Sequence, residues 1–253
     1  MLETLLENQN PSQLKGELKA KIIHTNIKSD LYYDDVSLEI KNFFFRNKDL
    51  SFDSRGRLVF KPFFKIKLNS EIRNINSEIF RSLNIENLLN SKDLIKRLNS
   101  QIDINFKTKK FKRDLIDNLE ISTILAYGRL NIKKNFSISN SSFKCQSKVN
   151  LVEEFPVFYF DCNLNSKDKR KLFKKFKINY KIKNEPLDIS IKGNLNILNN
   201  VINFDQIYTN SDNNFSNEDL KYFKNSFENI VFDKNFLDIF NVNKIRNFII
   251  EIS

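Results

Sequence analysis

The 253-residue chain has no tryptophan, one methionine, one histidine, two cysteines, four prolines and four glycines. Each scarcity excludes a class of protein. A lone histidine, His24, cannot supply the imidazoles of a zinc or two-metal centre, and it is expected at the surface or an edge. Cys145 and Cys162 do not have metal-ligand spacing. Four glycines and four prolines are too few for a collagen-like or linker-rich chain. No stretch approaches the roughly 20 apolar residues that span a bilayer as a helix. The opening, Met1 to Asn8, lacks a basic segment followed by a continuous apolar run, so it does not read as a signal peptide. A complete chain of this kind is expected in the cytoplasm, whereas β alternation starting so soon after Met1 also fits the tail of a longer protein. There is no Gly-rich phosphate loop, nucleophile elbow, His-Glu-x-x-His or calcium loop. Asp34-Asp35 and Glu153-Glu154 read as solvated turn residues, not as an acid–base pair. The expectation is a protein that binds or scaffolds without a cofactor and is not an enzyme.

Apolar residues make up 40% of the chain, with 25 phenylalanines, and the net charge is +11. The basic excess permits attraction to phosphate in lipid headgroups or nucleic acid. The four glycines open similar phrases: Gly16-Glu-Leu18-Lys-Ala20, Gly56-Arg-Leu58-Val-Phe60, Gly128-Arg-Leu130-Asn-Ile132 and Gly193-Asn-Leu195-Asn-Ile197. Alternation behind each glycine is strand-like, so the phrases read as a degenerate β repeat in which glycine marks the start of a stretch of apolar face. The clearest alternation places Leu50, Phe52, Ser54, Gly56, Leu58, Phe60, Pro62, Phe64, Ile66 and Leu68 on even positions, with mostly polar residues between them. One face is then apolar and the other wet, as in a half-solvated antiparallel sheet. The run is too long for one ordinary strand. It breaks at 54–56 and 61–63, or it continues through a bend in a wide sheet.

Elsewhere, Tyr32-Tyr33-Asp34-Asp35 reads as a turn before a strand through Val36, Leu38 and Ile40. Residues 77–99 take helical spacing behind Ser77. Strands return at Ile102, Ile104 and Phe106, and a second β block covers 119–164. A hairpin over 143–164 centred between Glu153 and Glu154 sets Cys145 opposite Cys162. Either a disulfide or two buried thiols fits that placement. Ser166 can cap a short basic helix carrying Lys167, Lys169, Arg170, Lys171, Lys174 and Lys175. Strands are expected at Ile178, Tyr180 and Ile182, then at Leu187–Ile197, and after a turn at Asn199-Asn200 through Ile202, Phe204 and Ile207. Ser216-Asn-Glu-Asp219 resembles a capping box, with helix following it. A further helix is expected around Phe236–Phe240, and Phe248-Ile249-Ile250 reads as a closing strand.

The expected fold is therefore mainly β (α+β): an elongated, curved antiparallel sheet with an apolar inner face and a few peripheral helices. It forms one β-rich region over 1–253, with possible sub-units 14–106 and 107–253 and a helical segment at 216–247. The apolar face is either a closed core or a groove for acyl chains. Its lining residues are Leu50, Phe52, Leu58, Phe60, Phe64, Ile66, Leu68, Leu130, Ile132, Leu195 and Ile197. The basic helix is a solvated face or a contact for anionic headgroups. Nucleic acid is the weaker partner, because no reader motif accompanies the charge.

The stretch from Val36-Ser-Leu-Glu-Ile-Lys-Asn-Phe-Phe-Phe through Gly56-Arg-Leu-Val-Phe-Lys-Pro-Phe-Phe resembles the repeat of AsmA-like proteins, as do the phrases around Gly128 and Leu187–Ile197. The resemblance covers most of 14–207. It implies a repeating β-groove that carries phospholipid or supports outer-membrane assembly, in the periplasm and anchored to the inner membrane of Gram-negative bacteria. The family's N-terminal anchor has no counterpart here, so the chain would match the C-terminal part.

Overall fold

A computed structural model describes residues 2–10, 13–75, 89–107, 116–178, 184–209, 215–232 and 242–251. Among these residues the alternating sequence folds into thirteen strands. These are β1 (Leu2–Asn10), β2 (Gln13–Ile22), β3 (Thr25–Asp34), β4 (Ser37–Arg46), β5 (Leu50–Val59), β6 (Lys65–Ile75) and β7 (Asn99–Lys107). They continue as β8 (Asn118–Ala126), β9 (Arg129–Ile138), β10 (Ser141–Asn150), β11 (Val157–Ser166), β12 (Leu187–Asn196) and β13 (Val201–Thr209). The strands lie in one sheet in sequence order, and the sheet is open and curved, not closed into a barrel. Among the described residues it is accompanied by the helices α1 (Lys92–Arg97), α2 (Lys169–Lys175), α3 (Asn217–Val231) and α4 (Val242–Glu251). The mainly β, curved architecture expected from the sequence is thus present.

All pairings are antiparallel except β6 with β7. Parallel neighbours cannot be joined by a tight turn, and the connection from Ile75 to Asn99 holds α1. Hydrogen bonding then continues through β7 to β8, across the sub-unit boundary expected at 106–107.

The long alternating run divides once. Ser54–Gly56 lies within β5, and the break falls at 60–64, so Phe60 and Phe64 belong to a connection and not to a strand. Tyr32, Tyr33 and Asp34 extend β3, and the turn moves to 35–36. There the Asp34 carboxylate accepts from the backbone N–H of Val36 (2.8 Å) and Ser37 (2.6 Å). Two further hairpins use two-residue turns with both φ positive, Tyr127-Gly128 and Ser139-Asn140.

Gly128, with φ +81°, thus serves a turn. The other glycines do not begin their strands: Gly16, Gly56 and Gly193 sit inside β2, β5 and β12. A Cβ on Gly56 would run into the Lys67 carbonyl oxygen, and one on Gly193 into the Asn203 carbonyl oxygen and the Phe160 ring. Glycine is required there by close approach of the neighbouring strand.

Ser166 ends β11, where its hydroxyl accepts from Ser141 Oγ (2.8 Å). The cap of α2 is Asp168, whose carboxylate accepts from the Arg170 N–H. The capping box of α3 is formed, with Ser216 Oγ accepting from the Asp219 N–H (3.2 Å) and Asp219 accepting from the Ser216 N–H (2.9 Å). The strand expected at Phe248–Ile250 is instead part of α4, whose apolar side packs on α3 through Phe227 and Phe248, ring centroids 5.0 Å apart. The expected helices over 77–88 and around Phe236–Phe240, and Tyr180 with Ile182, lie outside the described residues. Ile178 is buried just after α2 and is not in a strand.

Candidate functional site: an apolar trough

Paired residues on neighbouring strands share a face, so the register defines transverse rows across the sheet. One row runs Gly16, Leu31, Ile40, Gly56, Leu68, Ile102, Thr123, Ile132, Ser147, Phe160, Gly193 and Phe204. Three of the four glycines fall in it. A second row runs Leu18, Ser29, Phe43, Ser54, Ser70, Ile104, Ile121, Lys134, Cys145, Cys162, Ile191 and Ile207. A third carries Phe45, Phe52, Ile72, Phe106, Leu119, Phe136, Phe143 and Leu164. On the other side of the glycine row, Leu38, Leu58 and Ile66 align, and farther along Leu125 with Leu130. Irregular pairing near Lys41, Arg73 and Asp205 keeps the rows in phase where strict alternation would lose it.

The opposite face is charged and solvated. There Glu17 contacts Lys19 (3.0 Å) and Lys28 (3.2 Å), Arg73 pairs with Asp53, and Lys192 pairs with Asp161 (3.3 Å). The lysine contacts hold the Glu17 carboxyl below its usual range.

The two ends of the apolar face differ. Among the described residues, two buried hydrophobic clusters lie toward its C-terminal end. One joins Leu125, Val149, Leu151 and Ile197 to Leu89 and Ile95, and Leu130 packs against it. The other joins Leu195 and Ile202 to Phe227, Val231 and Phe232. Leu195 is 2% exposed and Ile197 9%. These two residues, with Leu130 beside them, therefore belong to closed core and not to an open surface.

Across β2–β6 the pattern is different. Ala20 is the one apolar side chain that is fully buried there, while Leu31, Ile40, Phe43, Phe45, Phe52, Leu58, Ile66, Leu68 and Ile72 are only half-buried, as is Leu50. Phe45 and Phe43 lean on Phe52, with centroids 5.3 and 5.7 Å apart. Phe60 and Phe64 stack on each other beyond the strand ends (6.2 Å), with Tyr33 6.3 Å from Phe60. Five strands at about 4.8 Å spacing, each offering about 20 Å of apolar length, present on the order of 500 Å². That is comparable to the largest apolar patch of a typical monomer, about 300–600 Å², and such patches are often functional. This part of the sheet is a trough.

Two polar features interrupt the apolar face, one in the trough and one beyond it. Ser29, Ser54 and Ser70 share the second row; Ser54 Oγ lies 2.9 Å from Ser70 Oγ, and the buried Ser29 Oγ has no hydrogen-bond partner among the described residues. Farther along the same row is Lys134, half-buried, with Ile121 and Cys145 as its cross-strand neighbours. Cys145 and Cys162 are joined by a disulfide, Cα atoms 4.1 Å apart, at the register a hairpin centred on Glu153-Glu154 requires.

The basic helix is short and partly neutralised. Leu172 is buried beneath it. Lys169 is paired with Glu185 (2.8 Å) and Arg170 lies 3.5 Å from Asp168. Lys167, Lys171 and Lys174 are exposed and Lys175 is half-buried. His24 is exposed in the β2–β3 turn. No helix among the described residues is long and apolar enough to cross a membrane.

Comparison of the chain with protein-family models, with curated proteins and with solved structures finds no match.

Proposed function

We propose that this chain is a non-catalytic lipid-binding module whose trough takes phospholipid acyl chains, in the manner of the AsmA-like proteins its repeat resembles. The observation that carries the reading is the half-open apolar face of β2–β6, which is long and uncharged, with Ser29, Ser54 and Ser70 as its polar side chains in the second row. Four rows along the strands give about 20 Å of width, more than the roughly 15 Å that one leaflet of acyl chain occupies in a bilayer. Acyl chains laid in the trough would cover phenylalanines that no helix among the described residues covers. The exposed lysines of α2 supply a contact for anionic headgroups. The Cys145–Cys162 disulfide favours an oxidising location such as the cell envelope over the cytoplasm. A role in conducting lipid toward the outer membrane rests on the resemblance.

Nucleic acid is a poorer fit, since several cations on the polar face are already matched by carboxylates. The closed clusters of β8–β13 favour a structural role for that end alone.

The test is native mass spectrometry of protein purified from a membrane-containing lysate. Phospholipid is expected to co-purify, and Leu58→Asp or Leu68→Asp to reduce it while circular dichroism still shows the β fold. Folded, lipid-free wild-type protein would refute the reading.

A further inference from the structure

Lys134 is the one charged side chain in the register rows of the apolar face among the described residues. On β9 it stands between Ile132 and Phe136, and across the strands it meets Ile121 and the Cys145–Cys162 disulfide. Phe136 stacks on Phe143 with centroids 4.5 Å apart and planes 7° from parallel, forming an aromatic wall beside it. Lys134 is not a member of either buried cluster, and no hydrogen bond or ion pair reaches it among the described residues.

An ammonium in such surroundings is costly unless an anion accompanies it. Its surroundings already disfavour the charge, because desolvation lowers its pKa below the ordinary 10.5. A surface lysine needs no explanation, but a lone lysine amid Ile, Phe and a disulfide does.

We propose that Lys134, on the same apolar face three strands beyond the trough, is an anchoring site for the carboxylate of a long-chain fatty acid, whose hydrocarbon tail lies along the apolar rows toward the trough. The choice of carboxylate follows from charge and size. One ammonium with three donors matches one carboxylate. A phosphodiester would bring its glycerol and hydrated headgroup against Ile121, Ile132 and Phe136, with no second cation in the rows to share the charge. The inference rests on the trough being a lipid site, and it adds beside the trough a second site that takes anionic, single-chain lipids.

The experiment is titration calorimetry of the full chain with oleate below its micelle concentration, with oleyl alcohol, and with short-chain phosphatidylglycerol. Wild-type protein should bind oleate about tenfold or more tighter than oleyl alcohol, the margin of a charge-assisted contact. Lys134→Met should remove that margin and leave oleyl alcohol binding unchanged, and Lys134→Arg should retain most of it. Equal affinity of wild type for oleate and the alcohol would overturn the carboxylate site and leave the trough standing. Phosphatidylglycerol as the only ligand sensitive to Lys134→Met would overturn it in favour of a phosphate site. Failure of all three lipids to bind folded protein would overturn both readings. A fall in alcohol affinity equal to the fall in oleate affinity in Lys134→Met would show a structural effect and count against the site.

Discussion

Lys134 sets two demands against each other: the sheet would be more stable without its charge, and an anionic ligand would need it. No titratable side chain shares its face on the strands beside it: β8 offers Leu119, Ile121, Thr123 and Leu125, and β10 offers Phe143, the disulfide-bonded Cys145, Ser147 and Val149. The sign of its pH dependence follows from desolvation. Folding lowers the pKa of Lys134, so the unfolded chain holds this proton more tightly than the folded one. Below the folded pKa the full penalty applies. Between the folded pKa and the ordinary 10.5, stability rises with pH, and above it the penalty is gone. Lys134→Met is therefore expected to melt at a higher temperature than wild type at pH 7, with the gap narrowing as the buffer approaches pH 10.5. A constant gap across that range would mean that packing, not charge, separates the two proteins.

At the scale of elements, strands were more legible than their junctions. Alternation marked Leu50–Leu68 as one-sided, but a period of two cannot say where a run folds back. Only the backbone at 60–64 decides that, and it places Phe60 and Phe64 off the sheet. The cysteine pair was legible because a hairpin's centre fixes every pairing, although the bond itself was open between disulfide and thiols. The glycine phrases misled in one respect. They suggested strand starts, whereas three of the glycines share a transverse row that links strands far apart in sequence. Ser166 as a cap and Phe248–Ile250 as a strand failed for local reasons: Asp168 is nearer the helix start, and three apolar residues in succession carry no period. Lys134 was invisible as a site because one lysine in a lysine-rich chain gives no signal until register shows its neighbours. The basic helix α2 was legible as a motif but not in its pairing, since Glu185 and Asp168 neutralise part of it. Its remaining lysines should still matter at a membrane. Replacing both Lys171 and Lys174 with alanine is expected to weaken sedimentation with phosphatidylglycerol vesicles roughly tenfold or more, at about 1 kcal/mol per lysine. Phosphatidylcholine vesicles should show no such difference, and equal binding of both proteins to anionic vesicles would remove α2 from the account.

The whole molecule is a single open sheet with unequal ends. Toward the C-terminus, α3 and α4 close the apolar face, with Val231 fully buried over Leu195 and Ile202. Over β2–β6 the same face is half-exposed, although the transverse rows run on across it from the closed end. Alternation predicts both faces of a sheet but not what lies over them, so the choice between closed core and trough was not available from the sequence. The two outcomes occur in one molecule, side by side. Adjacent residues of β4 allow a direct test. Phe43 pairs with Ser29 and Ser54 on the trough side, whereas Phe44 pairs with Lys28 and Asp53 on the polar side. The photo-reactive residue p-benzoylphenylalanine placed at either position changes the side chain little and the location entirely. After irradiation in the presence of membranes, mass spectrometry should find phospholipid adducts at position 43 and none at position 44. Equal labelling at both positions, or labelling at 44 alone, would contradict the trough.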